Sequence, residues 1–196
     1  MRYAMPALYL AACYASIPLM FLLGGGEGGL QPAALLLPIA AGIAGLVLVL
    51  TEGRKWPRET LLNCALAIKY GLIPFYLVGW TLTALILLIA VAPAPMLVLP
   101  IGAVATLYGY AVLLGGAPYA IAYIVRSRKE GALARGLAAL CGACQFLFAL
   151  DVLAVMALAL RERHAVKTTV AVAVATCIGI VLPWLLMPVS PMLHLL

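Results

Sequence analysis

The chain has 196 residues, of which 67% are hydrophobic and 9% are charged, and its formal net charge is +6. Soluble domains average about 45–50% apolar and about 25% charged residues, so this composition excludes a soluble globular protein. The apolar runs are long and lack a period of two, which favours helices over a barrel. The sequence therefore predicts an all-α, polytopic transmembrane helix bundle.

The N-terminal segment, MRYAMPALYLAACYASIPLMFLL, has one basic residue followed by an apolar stretch, which is also typical of a signal peptide. Leu10 to Cys13 resembles a bacterial lipobox as well, and that alternative would lipidate Cys13. However, the residues after Cys13 stay apolar as far as Leu23, where a mature lipoprotein would become polar. We therefore predict that this segment is the first membrane span.

Six spans follow from the apolar runs, and they belong to a single membrane domain over residues 1–196. Their breaks are polar or rich in glycine and proline: GGGEGG, TEGRKWPRE, PAP, RSRKEG and RERHAVK. The predicted spans are residues 3–23, 30–50, 71–92, 96–116, 134–160 and 168–187.

The distribution of Lys and Arg predicts the orientation. With both termini in the cytoplasm, nine basic residues lie inside and three lie outside, in the loop 161–167. The side on which that loop lies depends on the number of spans, because a different number would move it across the membrane. The positive charge indicates topology and contact with anionic lipid at the cytoplasmic face rather than nucleic-acid binding. The predicted location is a bacterial inner membrane.

The third and fourth segments are longer than a bilayer and carry breakers at similar depths. We predict that their helices bend at these points, so that residues 58–70 and 118–130 extend along the cytoplasmic interface. The alternative is a discontinuous helix around Gly115 and Gly116, as in transporters that expose backbone to a substrate.

Asp151 is the residue most in need of an explanation, since it is the single charge in the apolar run 140–160. A charge in the membrane is expensive and usually faces a bundle interior, where it marks a pathway or a relay. Gln145, on the same segment, has either that role or a structural one, as an interhelical hydrogen-bonding group. Counting helix rise places Asp151 about 13 Å and Lys69 about 35 Å below the outer ends of their spans, which predicts that the two do not meet.

The same count places a layer of polar side chains at the depth of Asp151. This layer can bind a small polar ligand, pass a proton, or simply join helices by hydrogen bonds. Its members are Tyr14, Ser16, Trp80, Thr81, Thr83, Thr106, Tyr108, Tyr110 and Thr176.

Cys141 and Cys144 form a C-x-x-C pattern, which suggests thiol redox chemistry. Such chemistry favours a helix N-terminus or a nearby cation. This pair is predicted in the middle of an apolar helix, so two small buried residues are the preferred interpretation. His164 and His194 have no neighbours at metal-ligand spacing. We expect no metal and no cofactor.

The stretches LLNCALAIKYGLIPFYLVG (61–79) and SRKEGALARGLAALCGACQFLFALDVL (127–153) resemble a family of small uncharacterised bacterial membrane proteins. That resemblance implies that Lys69, Gln145 and Asp151 belong to the family pattern, and it supplies no activity. The first segment also resembles the S components of energy-coupling-factor transporters, whose alanine motif would correspond to Ala7, Ala11 and Ala15. The same alanines have the small-xxx-small spacing of closely packed helices.

The sequence is compatible with three functions. The leading hypothesis is a small-solute transporter or transporter subunit with Asp151 at the centre of its site. The first alternative is a non-catalytic membrane partner or assembly subunit, in a hetero- or homo-oligomer. The second is a membrane thiol-redox enzyme that uses Cys141 and Cys144. The sequence names neither a substrate nor an oligomeric state.

Overall fold

The computed structural model describes residues 3–23, 31–91, 96 and 98–186, and these residues form helices and turns without a strand. The all-α prediction is confirmed. The GGGEGG and PAP connections and the tail that contains His194 lie outside the described residues. The α-helices are α1 (Ala4–Leu23), α2 (Gln31–Thr51), α3 (Arg58–Val91), α4 (Val98–Lys129), α5 (Arg135–Cys144), α6 (Leu150–Arg161) and α7 (Val166–Leu186), with a 3₁₀ turn at Gly53–Lys55.

Three of the described helices are long and apolar enough to cross a membrane. The stretches that qualify are Ala34–Thr51, Arg58–Thr83 and Leu99–Lys129. Shorter apolar helical stretches run over Ala4–Leu19, Arg135–Cys144 and Val166–Val181.

Helices α3 and α4 are continuous although each contains a proline, Pro74 and Pro118 respectively. The alternative of a discontinuous helix around Gly115 and Gly116 is therefore wrong, because α4 runs through both residues. The segments 58–70 and 118–130 are consequently parts of these long helices. Residues 60–69 of α3 are buried at eight of ten positions, whereas their predicted place along a membrane interface stays a prediction.

The first four helices pack in a closed ring, in which α1 contacts α2 and α3, and α4 contacts the same two helices. Glycines allow close approach within this ring. A Cβ on Gly42 of α2 would lie 2.7 Å from the Cα of Gly115 in α4. The hydroxyl of the buried Tyr9 donates a hydrogen bond to the carbonyl of Val112, which ties α1 to α4. Ala7 and Ala11, by contrast, are exposed and do not make the close contact predicted for them.

One end of this ring is charged. The Arg126 guanidinium donates a hydrogen bond to the Arg54 carbonyl at 2.8 Å, and Arg58 lies 3.7 Å from the Glu130 carboxylate. The connection before α3 and the connection after α4 therefore lie together, as the sequence predicts for two connections on one side of a membrane. We call this the charged end of the bundle, defined by Arg54, Arg58, Arg126 and Glu130.

Helix α4 stops at the charged end through a glycine cap. Gly131 has φ of 75°, a left-handed conformation that suits glycine. The Ala132 amide bonds the Ser127 carbonyl at 2.9 Å, and the Gly131 amide bonds that of Arg128 at 3.1 Å. These two bonds form a Schellman motif, which turns the chain sharply into α5. Helix α5 then packs against α4.

The fifth predicted span, residues 134–160, is two short helices rather than one. Residues 145–149 form turns between α5 and α6, and Ala149 has φ of 64°. The chain divides into two compact units, Met1–Leu158 and Ala159–Leu196, a division that the sequence does not predict. The first unit contains α1 to α5 and most of α6, and the second contains the end of α6 and α7.

Candidate polar site at the helix break

The interruption between α5 and α6 carries a buried ion pair. The Lys69 ammonium of α3 lies 2.6 Å from Oδ2 of Asp151, and the two side chains are 1% and 2% exposed. The prediction that these residues do not meet is therefore wrong. A buried charge generally needs a partner, and here each is the partner of the other.

The depth count failed because it treated residues 134–160 as one straight helix and measured every span from its outer end. The structure instead ends α5 at Cys144 and begins α6 at Leu150, so the rise of one straight helix does not give the depth of Asp151. The assumption of a continuous fifth helix was thus the source of the error.

Asp151 lies in the first turn of α6. Its Oδ1 accepts a hydrogen bond from the Val152 amide at 2.7 Å, while its Oδ2 faces Lys69. A carboxylate is favoured at a helix N-terminus, where backbone N–H groups lack helical partners. The break therefore contributes to the site, since it supplies an N-terminus that a continuous helix would not have.

Two other buried polar groups lie near this ion pair without satisfying their own hydrogen bonds. Gln145 is fully buried, and its Nε2 makes only long contacts to the carbonyls of Cys141 (3.4 Å) and Asp151 (3.5 Å). Its Oε1 has no hydrogen-bond partner among the described residues, and neither does the buried hydroxyl of Tyr76. The Tyr76 hydroxyl lies within electrostatic range of Asp151. Buried polar atoms are normally paired, so the Tyr76 hydroxyl and Gln145 Oε1 leave hydrogen-bonding capacity unused beside this ion pair.

An aromatic cluster adjoins the ion pair. Tyr76 packs edge-on against Phe148 of the break, with ring centroids 5.8 Å apart, and Phe148 packs against Tyr110 at 4.5 Å. The cluster therefore anchors the break to both α3 and α4. Its members are Tyr14, Phe75, Tyr76, Tyr108, Tyr110 and Phe148.

Three threonines of the predicted polar layer form hydrogen bonds within their own helices. The hydroxyls of Thr81, Thr106 and Thr176 each donate to the carbonyl four residues earlier in their own helix, at 2.7, 2.8 and 2.7 Å. Thr81 is exposed. These hydroxyls are satisfied locally, as is common for threonine in apolar helices. The side chain of Trp80 lies outside the described residues.

The two tyrosines predicted for the site, Tyr14 and Tyr108, make contacts that join helices. Tyr14 donates to the Gly71 carbonyl at 2.6 Å, from α1 to α3, and Tyr108 shares a hydrogen bond with Ser16, from α4 to α1. Both rings belong to the aromatic cluster. Of the predicted candidates, the structure brings Asp151 and Gln145 together and leaves Tyr14 and Tyr108 at the edge.

The C-x-x-C pair lies at the end of α5 rather than in the middle of a long helix. Cys141 is buried, Cys144 is half-buried and is the last residue of α5, and neither forms a disulfide within the described residues. Thiol chemistry favours a helix N-terminus, and Cys144 is at the opposite terminus. Nothing in this position favours a redox role.

Sequence reasoning missed Tyr76 and rejected Lys69 as a partner of Asp151 because of the depth count. They are seven residues apart on α3, which places them on one helix face. Lys69 is also a lone cation in an otherwise apolar stretch, and such a residue is expected to pair with an opposite charge. That rule alone, applied without the depth count, would have paired it with Asp151.

Residues 33–164 match a family of unknown function, DUF6652. The matched range contains every residue of the polar site and extends over most of the chain, from the start of α2 to the end of α6. No curated protein and no solved structure matches the chain. The resemblance to an uncharacterised family is thereby confirmed, whereas the resemblance to S components stays a prediction.

Proposed function

The chain belongs to the DUF6652 family, and we propose that it is a multi-pass membrane transport protein, or a subunit of one, for a small polar solute. The observation that carries the proposal is the buried Lys69–Asp151 pair at a helix break, beside the unpartnered Tyr76 hydroxyl and Gln145 carbonyl oxygen. Discontinuous helices with charged and polar groups at the break are a recurring way to bind solutes and ions within a membrane. The proposed location is a bacterial inner membrane, with the charged end in the cytoplasm.

Lipid contact is supported by the outward faces of α2 and α4. Large apolar side chains on these helices are exposed, among them Leu36 (58%), Ile43 (57%) and Leu107 (69%). An apolar surface of this kind is costly in water. In a bilayer the same surface would contact the hydrocarbon chains of the lipid instead of water.

The fifth segment is too short in each half to cross the hydrocarbon. Helices α5 and α6 have 10 and 12 residues, or about 15 Å and about 18 Å, against a hydrocarbon thickness of about 30 Å. Helix α5 enters from the charged end, because it follows the Schellman turn at Gly131 and packs back along α4. A continuous crossing would then require α6 to continue away from that end.

The contacts of the break favour a return instead. Phe148 packs against Tyr76, whereas Asp151, three residues later, pairs with Lys69. On α3, Lys69 is about 10 Å closer to the charged end than Tyr76. We infer that the chain reverses between Phe148 and Asp151, so that α6 starts back toward the end at which α5 entered.

Burial along α3 agrees with this return. Between positions 60 and 69 the helix is buried at most positions, whereas Val78 and Leu82 are 65% and 40% exposed. Most of α6 within the first unit is buried as well, including Val155 and Leu158. We therefore propose that α5 and α6 form a re-entrant segment with the polar site near its tip.

If α6 runs back toward the charged end, the connection after it should be labelled from the same side of the membrane as residue 129, whereas the six-span prediction separates the two positions. Lys129→Cys and Lys167→Cys, both exposed positions, test it, with Glu27→Cys in the first connection as the opposite-side control. A membrane-impermeant maleimide applied to intact cells and to inverted vesicles should label positions 129 and 167 from one side and position 27 from the other. Labelling of 129 and 167 from opposite sides would restore the six-span arrangement.

Solute binding tests the function itself. Purified protein in detergent is heated with amino acids, monocarboxylates and monosaccharides, and the melting temperature is recorded for each. We expect one class to stabilise the wild type and the control Thr106→Val, whose hydroxyl bonds only its own helix. The same class should not stabilise Lys69→Met/Asp151→Asn. If that variant responds as the wild type does, or no class stabilises the wild type, the pair is a packing element and the role of a partner subunit becomes preferred.

A further inference from the structure

A groove of about 160 Å³ lies between α4 and α5. It begins near the charged end and follows the two helices inward. Two arginines, Arg128 and Arg135, stand at its outer part, and the rest of its lining is aliphatic or small. The remaining lining residues are Ile121, Ile124, Val125, Ala138, Ala139 and Gly142.

The two arginines are available for an external anion. Both are exposed, and among the described residues neither forms an ion pair. The neighbouring Arg126, by contrast, is occupied by Glu130 at 2.9 Å and by the Arg54 carbonyl. No acidic side chain is among the described residues that line the groove. Arginine guanidinium groups bind phosphate with two parallel hydrogen bonds, so a pair of them suits a phosphate group.

The start of α5 adds to this positive potential. Arg135 is its first residue, and the preceding Ala134 provides no side-chain cap. The first backbone N–H groups of a helix have no helical partners and attract anions. The arginine pair and this uncapped terminus are therefore two separate sources of attraction at the same end of one groove.

The inner part of the groove suits a hydrocarbon chain. From Arg128 to Ile121 the wall on α4 is seven residues long, or about 10 Å, and its other members are Ile124 and Val125. On α5 the facing residues are small. A Cβ at Gly142 would contact nothing within 4 Å, so this position leaves the inner part open.

We propose that this groove is a binding site for an anionic phospholipid, with the phosphate between Arg128 and Arg135 and one acyl chain along the aliphatic wall. Charge complementarity and the division of the groove into a cationic and an apolar part favour a lipid over a free anion. Because the groove lies at the charged end, the lipid belongs to the leaflet on that side. The site does not depend on the proposed transport function.

The test is thermal stabilisation of the purified protein in detergent micelles by phosphatidylglycerol, with phosphatidylcholine and inorganic phosphate as comparisons. We expect phosphatidylglycerol to stabilise the wild type at concentrations where the other two do not. Arg128→Gln/Arg135→Gln should weaken that effect at least about tenfold in lipid concentration. The control, Arg163→Gln/Lys167→Gln, removes two exposed cations elsewhere and should leave it unchanged.

A second variant separates the groove from general electrostatics. Gly142→Leu keeps every charge and fills the apolar part, and the space at Gly142 allows it to fold. We expect it to weaken the response to phosphatidylglycerol by a similar factor. The proposal is overturned if Gly142→Leu or the arginine variant responds as the wild type does. It is equally overturned if the control variant loses as much as the arginine variant, or if inorganic phosphate matches the lipid.

Discussion

Removing one member of the buried ion pair should destabilise the protein far more than removing both. With a separation of 2.6 Å and an effective dielectric constant of about 20, the gross attraction between the charges of Lys69 and Asp151 is about 6 kcal/mol. Asp151→Asn leaves the Lys69 ammonium buried without a counter-charge, and Lys69→Met does the same to the carboxylate. Each single change should cost about 3–5 kcal/mol of unfolding free energy.

The double variant, Lys69→Met/Asp151→Asn, removes both charges and keeps similar side-chain volumes. Replacing a buried pair by uncharged groups is often neutral, because the desolvation cost disappears together with the attraction. Position 151 also retains an oxygen to accept the Val152 amide. We expect the double variant to lie within about 1 kcal/mol of the wild type, which gives a coupling energy of about 5 kcal/mol or more.

The four proteins are compared by titration with sodium dodecyl sulfate in mild detergent micelles, with helicity followed by circular dichroism. Thr81→Val serves as the control, since its hydroxyl bonds only the Leu77 carbonyl of the same helix. If the double variant loses the sum of the two single losses, the charges do not compensate each other. Single losses below about 1 kcal/mol would show that the pair is accessible to water, contrary to its burial.

Three further changes test neighbouring features by the same titration. Gly115→Ala should lower the free energy of unfolding by about 1–3 kcal/mol, because its new Cβ would lie 2.7 Å from the Tyr9 hydroxyl. The control, Gly102→Ala, places a Cβ where nothing lies within 4 Å, so it should be neutral or stabilising. Equal effects of the two variants would contradict the packing of α1 on α4. Tyr76→Phe removes an unpartnered hydroxyl, so it should change the free energy of unfolding by less than about 0.5 kcal/mol. It should also lower the stabilisation of the protein by solute. A large loss of stability would mean that the hydroxyl has a hydrogen-bond partner. Ala149→Gly should stabilise by about 1 kcal/mol, because φ is 64° there, and destabilisation would mean that the turn has another conformation.

The helical class of this protein follows from its composition and from the length of its apolar runs. The sequence could also predict that the charged connections lie close together, since basic connections on one side of a membrane must lie at one end of the helices. Arg54 and Arg126 show that this pairing is present. These features depend on averages over many residues, so an error in the predicted position of one residue does not affect them.

The break in the fifth segment could not be predicted from the same averages. Its residues, QFLFA, contain neither glycine nor proline and are as apolar as the helices around them. What holds the chain there is tertiary: Phe148 packs against Tyr76 and Tyr110, and Asp151 pairs with Lys69. Because the depth of Asp151 was counted through this segment, the missed break also separated Asp151 from Lys69 in the prediction.

Solute uptake by reconstituted liposomes tests the central claim most directly. Wild type and Lys69→Met/Asp151→Asn, matched for folded protein, are incorporated into vesicles, and uptake of the radiolabelled solute that stabilises the wild type is measured with and without an imposed pH gradient. A working site around Lys69 and Asp151 predicts that wild-type vesicles take up this solute faster than protein-free vesicles do, and that vesicles with the double variant do not. A folded double variant that takes up the solute as fast as the wild type would contradict the account.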